Sequence, residues 1–138
     1  MARAQVILLD THVLVWAVND DRKLGRKARA AIERHWGGGG VAVSAITFWE
    51  AALLESRGRL RLPVPALEWR AHLIAAGLTE LPLEGAAGIR AVDLGGLSED
   101  PADRFIVATA ITEGAALMSA DERMLRWPHP LERQDARA

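Results

Sequence analysis

Short apolar runs alternate along this chain with segments of helical composition. Four runs have the length of buried strands, residues 6–9, 41–45, 78–83 and 115–118. Helices are predicted between and after them, over residues 14–18, 24–36, 66–76, 86–92, 101–113 and 122–127. One more, which Ser44 or Thr47 could cap, is predicted to run to about Arg57. Strands that alternate with helices are typical of βαβ units. The pattern therefore predicts an α/β fold with a central parallel sheet.

Glycine and proline mark the ends of several predicted helices. Four consecutive glycines at residues 37–40 end one helix, because glycine carries the largest backbone entropy cost. Pro101 suits the first position of a helix that Gly114 stops. No Gly-Lys-Ser or Gly-Lys-Thr sequence follows the four glycines, which disfavours a phosphate-binding loop there. They are interpreted as a flexible connection.

The length and composition fit one domain. The chain has 138 residues, of which 50% are hydrophobic and 25% charged, and this is enough for a single core. The domain is predicted to span residues 1–131. Residues 132–138 have almost no apolar surface to bury and are expected to form a loose C-terminal tail.

Composition also limits the classes of function. The chain has no cysteine, so neither a disulfide framework nor a thiolate metal site is possible. The apolar run at 6–9 is too short for a signal peptide or a membrane span, and a cytoplasmic protein without a membrane partner is expected. The net charge of −1 gives no overall basic footprint for nucleic acid. Clusters such as Arg57, Arg59 and Arg61 could bind phosphate or form ordinary solvated surface.

Carboxylates are the most informative side chains. Asp10 and Asp121 each follow a predicted strand, and the carboxyl ends of parallel strands share one edge of a sheet, where ligands bind. Each of them could instead cap the helix that follows it. Glu50 shares a helix face with Ile46 and Leu53. A carboxylate among apolar neighbours needs a partner or an ion, because burying an unpaired charge is costly.

Two further acids lie at the start of a predicted helix, in the Asp-Pro-Ala-Asp block at residues 100–103. Both are stabilised there by exposed backbone N–H groups and by the helix dipole. Asp103 shares a face with Ile106 and Val107, which favours an inward position. Asp100 suits the N-cap.

The four acids Asp10, Glu50, Asp103 and Asp121 together predict a divalent-metal pocket. Ionised carboxylates repel one another unless a cation or raised pKa values relieve the repulsion. Mg²⁺ and Mn²⁺ take oxygen ligands, polarise phosphate and activate water for hydrolysis of phosphodiesters. These acids therefore indicate a nuclease. A phosphatase or phosphotransferase that attacks through Asp10 would require a second acid two residues later, but this chain has His12 there. Such an enzyme is therefore disfavoured.

Histidine and tryptophan offer weaker evidence. The chain has four histidines, which are His12, His35, His72 and His129. Their spacing is not that of zinc ligands, so a zinc site is disfavoured. They are interpreted as surface or packing residues. Trp16 and Trp49 lie in apolar segments and are predicted to be core, although tryptophan can also stack on bases.

Four blocks of sequence carry the acids. They are Leu-Leu-Asp-Thr-His-Val-Leu-Val-Trp at 8–16, Ser-Ala-Ile-Thr-Phe-Trp-Glu at 44–50, Asp-Pro-Ala-Asp-Arg-Phe-Ile-Val-Ala-Thr-Ala at 100–110, and Ser-Ala-Asp-Glu-Arg at 119–123. In order and spacing they resemble the blocks of the PIN domain family, VapC-type toxins in particular. Gly-Arg-Leu at 58–60 is also similar to these toxins. The resemblance spans nearly the whole chain.

The resemblance implies a PIN-like α/β/α sandwich and an endoribonuclease that hydrolyses RNA phosphodiester bonds with Mg²⁺ or Mn²⁺. It further implies a homodimer and inhibition by a VapB-type antitoxin. Asp10, Glu50 and Asp103 would be the core metal-binding and catalytic acids, and Asp121 would complete the set, directly or through water.

Four more residues receive roles from the same resemblance. Thr11 and Ser119 would orient ligands or phosphate by hydrogen bonding. Asp100 is a further metal-ligand candidate, since this branch of the family carries acids at both places in the block. Arg104 could contact RNA phosphate or cover the helix surface.

Two alternatives keep the fold but change the function. One is a PIN module that binds RNA without cleaving it, and the other is a general RNA-processing nuclease outside a toxin–antitoxin pair. No amide replaces a carboxylate at the four core positions, which favours cleavage. A neighbouring gene for a short DNA-binding antitoxin would distinguish a toxin from a processing enzyme.

Overall fold

Five parallel strands form the centre of the molecule. In the computed structural model, which describes residues 5–138, the strands are β1 (Ile7–Leu9), β2 (Val41–Ser44), β3 (Thr79–Leu81), β4 (Ala116–Ser119) and β5 (Arg133–Asp135). Their order is β3-β2-β1-β4-β5, and every neighbouring pair is parallel. This confirms the predicted α/β fold with a central parallel sheet. The first four residues of the predicted domain lie outside the described residues.

Seven helices connect and flank the strands in the described part of the chain. They are α1 (Thr11–Val18), α2 (Arg26–His35), α3 (Ala45–Ser56), α4 (Ala66–Ala76), α5 (Gly85–Val92), α6 (Pro101–Glu113) and α7 (Glu122–Leu125). Pro101 begins α6, and Gly114 ends it with a left-handed φ of 63°, as their positions predict. Within residues 5–138, no helix has both the length and the apolarity needed to span a bilayer.

The core lies on both faces of the sheet. Ile7 and Leu9 belong to one buried cluster, with side chains of α1, α2 and α4. Leu8 belongs to a second cluster with α5 and α6. This division follows from the strand, in which successive side chains point to opposite faces. Trp49 was predicted to be core, but it is 51% exposed, because α3 turns Thr47 and Ala51 inward instead.

The segment 132–138 is ordered, so the prediction of a loose tail is wrong. Its residues 133–135 form β5 beside β4, and Ala136 is fully buried. The Arg133 guanidinium donates hydrogen bonds to the backbone oxygens of Met124, Leu125, Trp127 and His129. Backbone pairing and one arginine stabilise this segment. Neither interaction needs apolar side chains, so the low apolar content of the segment did not reveal them.

Gly25 allows the end of this segment to pack against the beginning of α2. Its N–H donates to the Ala136 oxygen over 2.7 Å, and the N–H groups of Lys27 and Ala28 donate to the Ala138 oxygen over 3.0 and 3.2 Å. These bonds satisfy N–H groups that a helix start leaves without partners. A Cβ atom on Gly25 would overlap the Ala138 oxygen, so a larger residue does not fit without a shift.

Candidate metal centre

Five acids line one cavity at the carboxyl edge of the sheet. The cavity has a volume of about 360 Å³, and its acidic residues are Asp10, Glu50, Asp100, Asp103 and Asp121. It opens where the chain order of the sheet reverses, between β1 and β4. Ligands of open α/β sheets bind at such a reversal point. The structure therefore brings together the four acids singled out in the sequence, and adds Asp100.

Asp10 is buried and rigidly held directly after β1. Its Oδ1 accepts a hydrogen bond from the Thr11 N–H, and its Oδ2 accepts one from the Ser119 hydroxyl, both over 2.8 Å. It therefore caps α1 and also borders the cavity. Burial raises the pKa of Asp10, although these two hydrogen bonds act in the opposite direction.

Glu50, Asp100 and Asp103 converge most closely. One carboxylate oxygen from each lies within 4.8 Å of the other two. Two ligands at about 2.1 Å from one Mg²⁺ can be up to about 4.2 Å apart. Small side-chain movements would therefore let all three bind a single ion. The oxygen-only donor set fits a hard divalent cation.

The acids also perturb one another electrostatically. Burial, followed by the repulsion of Asp10, Asp100, Asp121 and Glu50, raises the pKa of Asp103 to about 7. Burial likewise raises the pKa of Glu50, while a hydrogen bond with the Thr11 hydroxyl acts to lower it. Without a cation, the cavity therefore disfavours full ionisation of these groups.

Asp100 and Asp121 serve as helix caps at the same time. Asp100 Oδ1 accepts a hydrogen bond from the Ala102 N–H over 2.8 Å, which places Asp100 at the N-cap of α6 as predicted. Asp121 Oδ1 accepts a bond from the Arg123 N–H over 2.8 Å at the start of α7. Capping and bordering the cavity are thus compatible roles, because a carboxylate has two oxygens.

Hydroxyl groups connect the acids to the sheet and to one another. The buried Ser119 hydroxyl donates to Asp10 and accepts a bond from the Asp121 N–H over 2.9 Å. The hydroxyl oxygens of Thr11 and Thr47 are 3.2 Å apart, and both residues are fully buried. Thr47 was not a site candidate. Its position one helical turn before Glu50 is the sequence feature that could have placed Thr47 near the site.

Replacing Ser119 with alanine is expected to lower the free energy of unfolding by about 1–3 kcal/mol, because the buried Asp10 carboxylate and the partly buried Asp121 N–H lose a partner. Urea unfolding at neutral pH measures this loss. Ser56→Ala is the matched control, since the Ser56 hydroxyl bonds to the Leu53 oxygen at an exposed helix end. Its effect is expected to stay within about 0.5 kcal/mol. Equal losses in the two variants would contradict the linking role of Ser119.

Besides the small Ala120, three lining residues were not predicted to belong to the site. His12 and Trp16 come from α1, and Arg137 follows β5. His12 was interpreted as a surface or packing residue, and Trp16, predicted to be core, is only partly buried. Their spacing from Asp10 along α1 was a usable signal. Arg137 gave none, because the strand before it was not predicted.

Arg104 lies outside the cavity lining. Its guanidinium donates hydrogen bonds to the Ala91 oxygen over 3.1 Å and to the Leu97 oxygen over 3.5 Å. These contacts tie α6 to the end of α5 and to the following loop. They correspond to the second of its two predicted roles, covering the helix surface, and contact with RNA stays a prediction.

The fold and the site together define an α/β/α protein with a carboxylate-lined ligand pocket at the reversal point of a parallel sheet. The family model described as PIN domain matches residues 7–129. This chain belongs to the PIN domain family, which confirms the resemblance of the four sequence blocks.

Known proteins with similar sequence and structure agree with this assignment. Ribonuclease VapC22 from Mycobacterium tuberculosis is 34% identical over 128 residues, which cover 90% of this chain and 93% of that protein. A similar solved structure is that of VapBC2 from Rickettsia felis, bound to a DNA fragment from its promoter. It superposes with a TM-score of 0.67 at 18% sequence identity, and the match covers 94% of this chain and 97% of that chain. VapBC-1 from nontypeable Haemophilus influenzae gives a TM-score of 0.69 at 14% identity, with the same coverage. At these identities the two structures show the fold alone.

Proposed function

We propose that this protein is a divalent-metal-dependent endoribonuclease, the toxin of a VapBC-type pair. The convergence of Glu50, Asp100 and Asp103 in one cavity carries the proposal. Family membership and the identity with a named ribonuclease support RNA as the substrate. The reaction would be hydrolysis of a phosphodiester bond within the RNA chain.

The donor set favours Mg²⁺ or Mn²⁺, because both prefer oxygen ligands. Glu50, Asp100 and Asp103 would hold the ion directly, with Asp10 and Asp121 beside them in the cavity. Bound there, the ion would polarise the phosphate and activate the attacking water. Asp100, whose role was uncertain from sequence, thus becomes a leading candidate for a direct ligand.

The protein's own groups would hold this arrangement in place. Asp10 is fixed by hydrogen bonds from the Thr11 N–H and the Ser119 hydroxyl, and the Thr11 hydroxyl bonds to Glu50. Asp103 would release its proton when a cation binds, because ligand carboxylates must be ionised. No side chain needs to form a covalent bond with the substrate.

The proposal extends to partners and location. Two of the similar structures are of VapBC proteins, and a VapB-type antitoxin is accordingly proposed as the inhibitor. A homodimer is also proposed. Ile89 and Val92, adjacent on α5 and 73% and 77% exposed, provide apolar surface for a protein contact. An RNA substrate and a chain without cysteine suit a reducing cytoplasm.

Cleavage of a structured RNA panel, including tRNA, tests the proposed activity. The wild type, purified without antitoxin, is expected to cleave with Mg²⁺ or Mn²⁺ and to stop with EDTA. Asp10→Asn is expected to lower the rate at least about 100-fold, because a positioned charge at the pocket is lost. Asp93→Asn, which changes an exposed acid outside the cavity, should cleave normally.

Full activity of Asp10→Asn, after identical purification, would contradict the proposed site. Tight RNA binding by the wild type without any metal-dependent cleavage would instead favour a non-cleaving PIN module. If the protein cleaves RNA but no VapB-type antitoxin inhibits it, a general RNA-processing nuclease would be favoured.

A further inference from the structure

Arg137 brings a permanent positive charge to the acid cavity. It follows β5, whose carboxyl end lies beside that of β4 at the same sheet edge. Among the described residues that line the cavity, it is the one arginine or lysine. An arginine guanidinium stays protonated at any physiological pH. The cavity thus combines five carboxylates with a single fixed cation.

The backbone on both sides of Arg137 is anchored. The preceding Ala136 is fully buried, and the following Ala138 accepts hydrogen bonds from two N–H groups at the start of α2. The Arg137 N–H itself donates to Asp135 Oδ1 over 2.8 Å. The side chain therefore extends from a fixed point, although 59% of it is exposed.

The guanidinium is only weakly engaged by protein groups. Its Nη1 lies 3.9 Å from Glu122 Oε1, and both side chains are more than half exposed. Exposed pairs at this distance contribute little. Glu122 has a closer partner in Arg126, whose Nε lies 3.1 Å from the other carboxylate oxygen. Arg137 therefore keeps donors that a ligand could use.

A cavity lined by acids repels a polyanion unless cations compensate. RNA carries one negative charge per phosphate, and a metal ion held by Glu50, Asp100 and Asp103 would compensate the phosphate that reacts. A neighbouring phosphate at the cavity mouth needs a separate cation. Arginine suits this task, because its planar group binds phosphate with two hydrogen bonds.

We propose that Arg137 binds the RNA backbone phosphate next to the one that reacts, and so positions the RNA in the cavity. This inference rests on the proposed ribonuclease function. It makes Arg137 a substrate-binding residue, which neither holds the metal nor takes part in bond cleavage. The segment that holds Arg137 in place thereby contributes to substrate affinity.

Arg137→Gln and Arg126→Gln form a matched pair for the test. Both remove a guanidinium beside Glu122, but only Arg137 lines the acid cavity. Arg137→Gln is expected to raise KM for RNA about 10-fold with kcat nearly unchanged, because a charge-assisted hydrogen bond is lost. The slope of log affinity against log salt concentration should fall by about 1. Arg126→Gln should match the wild type, and Arg137→Lys should recover part of the affinity.

The two proposals fail in distinguishable ways. If the wild type cleaves RNA and the two glutamine variants share its KM and salt slope, the Arg137 proposal is overturned while the ribonuclease stands. A fall in kcat without a change in KM overturns it as well. If the wild type binds RNA without cleaving it, RNA affinities measured by fluorescence anisotropy decide on Arg137 in the same way. If the wild type neither binds nor cleaves RNA, both proposals are overturned.

Discussion

Replacing Asp103 with asparagine is expected to stabilise the metal-free protein and to remove its activity. Burial and four neighbouring carboxylates raise the pKa of Asp103 to about 7. Folding therefore disfavours the ionised form, and the stability of the wild type should fall as pH rises from about 4 to about 7. Asparagine carries no charge, so the variant should escape this loss.

The expected gain for Asp103→Asn above pH 7 in EDTA is about 1–2 kcal/mol, reduced by solvent screening because Asp103 is only partly buried. Below about pH 4 the gain should vanish, because the wild-type carboxyl is then protonated in both states. For a chain of this size, the gain corresponds to a rise in Tm of a few degrees. Thermal unfolding at pH 4 and pH 8 in EDTA measures it.

Adding metal should reverse the order of the Tm values of the wild type and Asp103→Asn. An ion that binds only the folded state stabilises it in proportion to the logarithm of its concentration over Kd. Mn²⁺ should therefore raise the Tm of the wild type more than that of Asp103→Asn. RNA cleavage should fall about 1,000-fold, since the variant loses a direct ligand. Asp93→Asn is the control for both measurements.

A variant that unfolds at a lower temperature than the wild type in EDTA at pH 8 would contradict the repulsion described for Asp103. An equal response of both proteins to Mn²⁺ would contradict its role as a ligand. The two readouts are independent, because one is measured without metal and the other is the change that added Mn²⁺ produces.

Removal of residues 133–138 is expected to lower the free energy of unfolding by about 4 kcal/mol or more, a large part of the stability of a small domain. The deletion removes β5, the hydrogen bonds of the Arg133 guanidinium, and the acceptors at the start of α2. It also exposes the surface that Ala136 covers. Urea unfolding of the shortened and full chains measures the difference.

Two point variants divide this effect into parts. Arg133→Met keeps the strand but removes the guanidinium, and it should cost about 2 kcal/mol, because several backbone oxygens lose a charged donor. Gln134→Ala changes a neighbouring strand residue and should stay within about 0.5 kcal/mol. Wild-type stability of the shortened chain would restore the interpretation of a loose tail.

Much of the fold could be predicted because local signals agreed with the final packing. The bounds of α4 and α6 match their predictions, since proline and glycine mark where each helix starts or stops. The inner strands were visible as apolar runs, because both of their faces are buried. β5 was missed for the opposite reason. It is a short edge strand of polar residues, stabilised by backbone pairing with β4.

The candidate site shows the same division. Asp10, Glu50, Asp103 and Asp121 could be placed together because each follows from a strand end or a helix face. The close approach of Glu50 to Asp100 and Asp103 depends on how α3 and α6 pack, which local spacing does not determine. The position of Arg137 at the cavity depends on β5. Because β5 was not predicted, Arg137 was absent from the predicted site.

The two outer strands of the sheet have a consequence for self-association. β3 and β5 have three residues each, and both carry charged side chains. On β3, Glu80 is held by two hydrogen bonds from Arg70, over 2.8 and 2.6 Å. Short, charged edges offer little backbone for another strand to join. Edge-to-edge aggregation is therefore disfavoured, and protein partners are expected to contact helical faces rather than to extend the sheet.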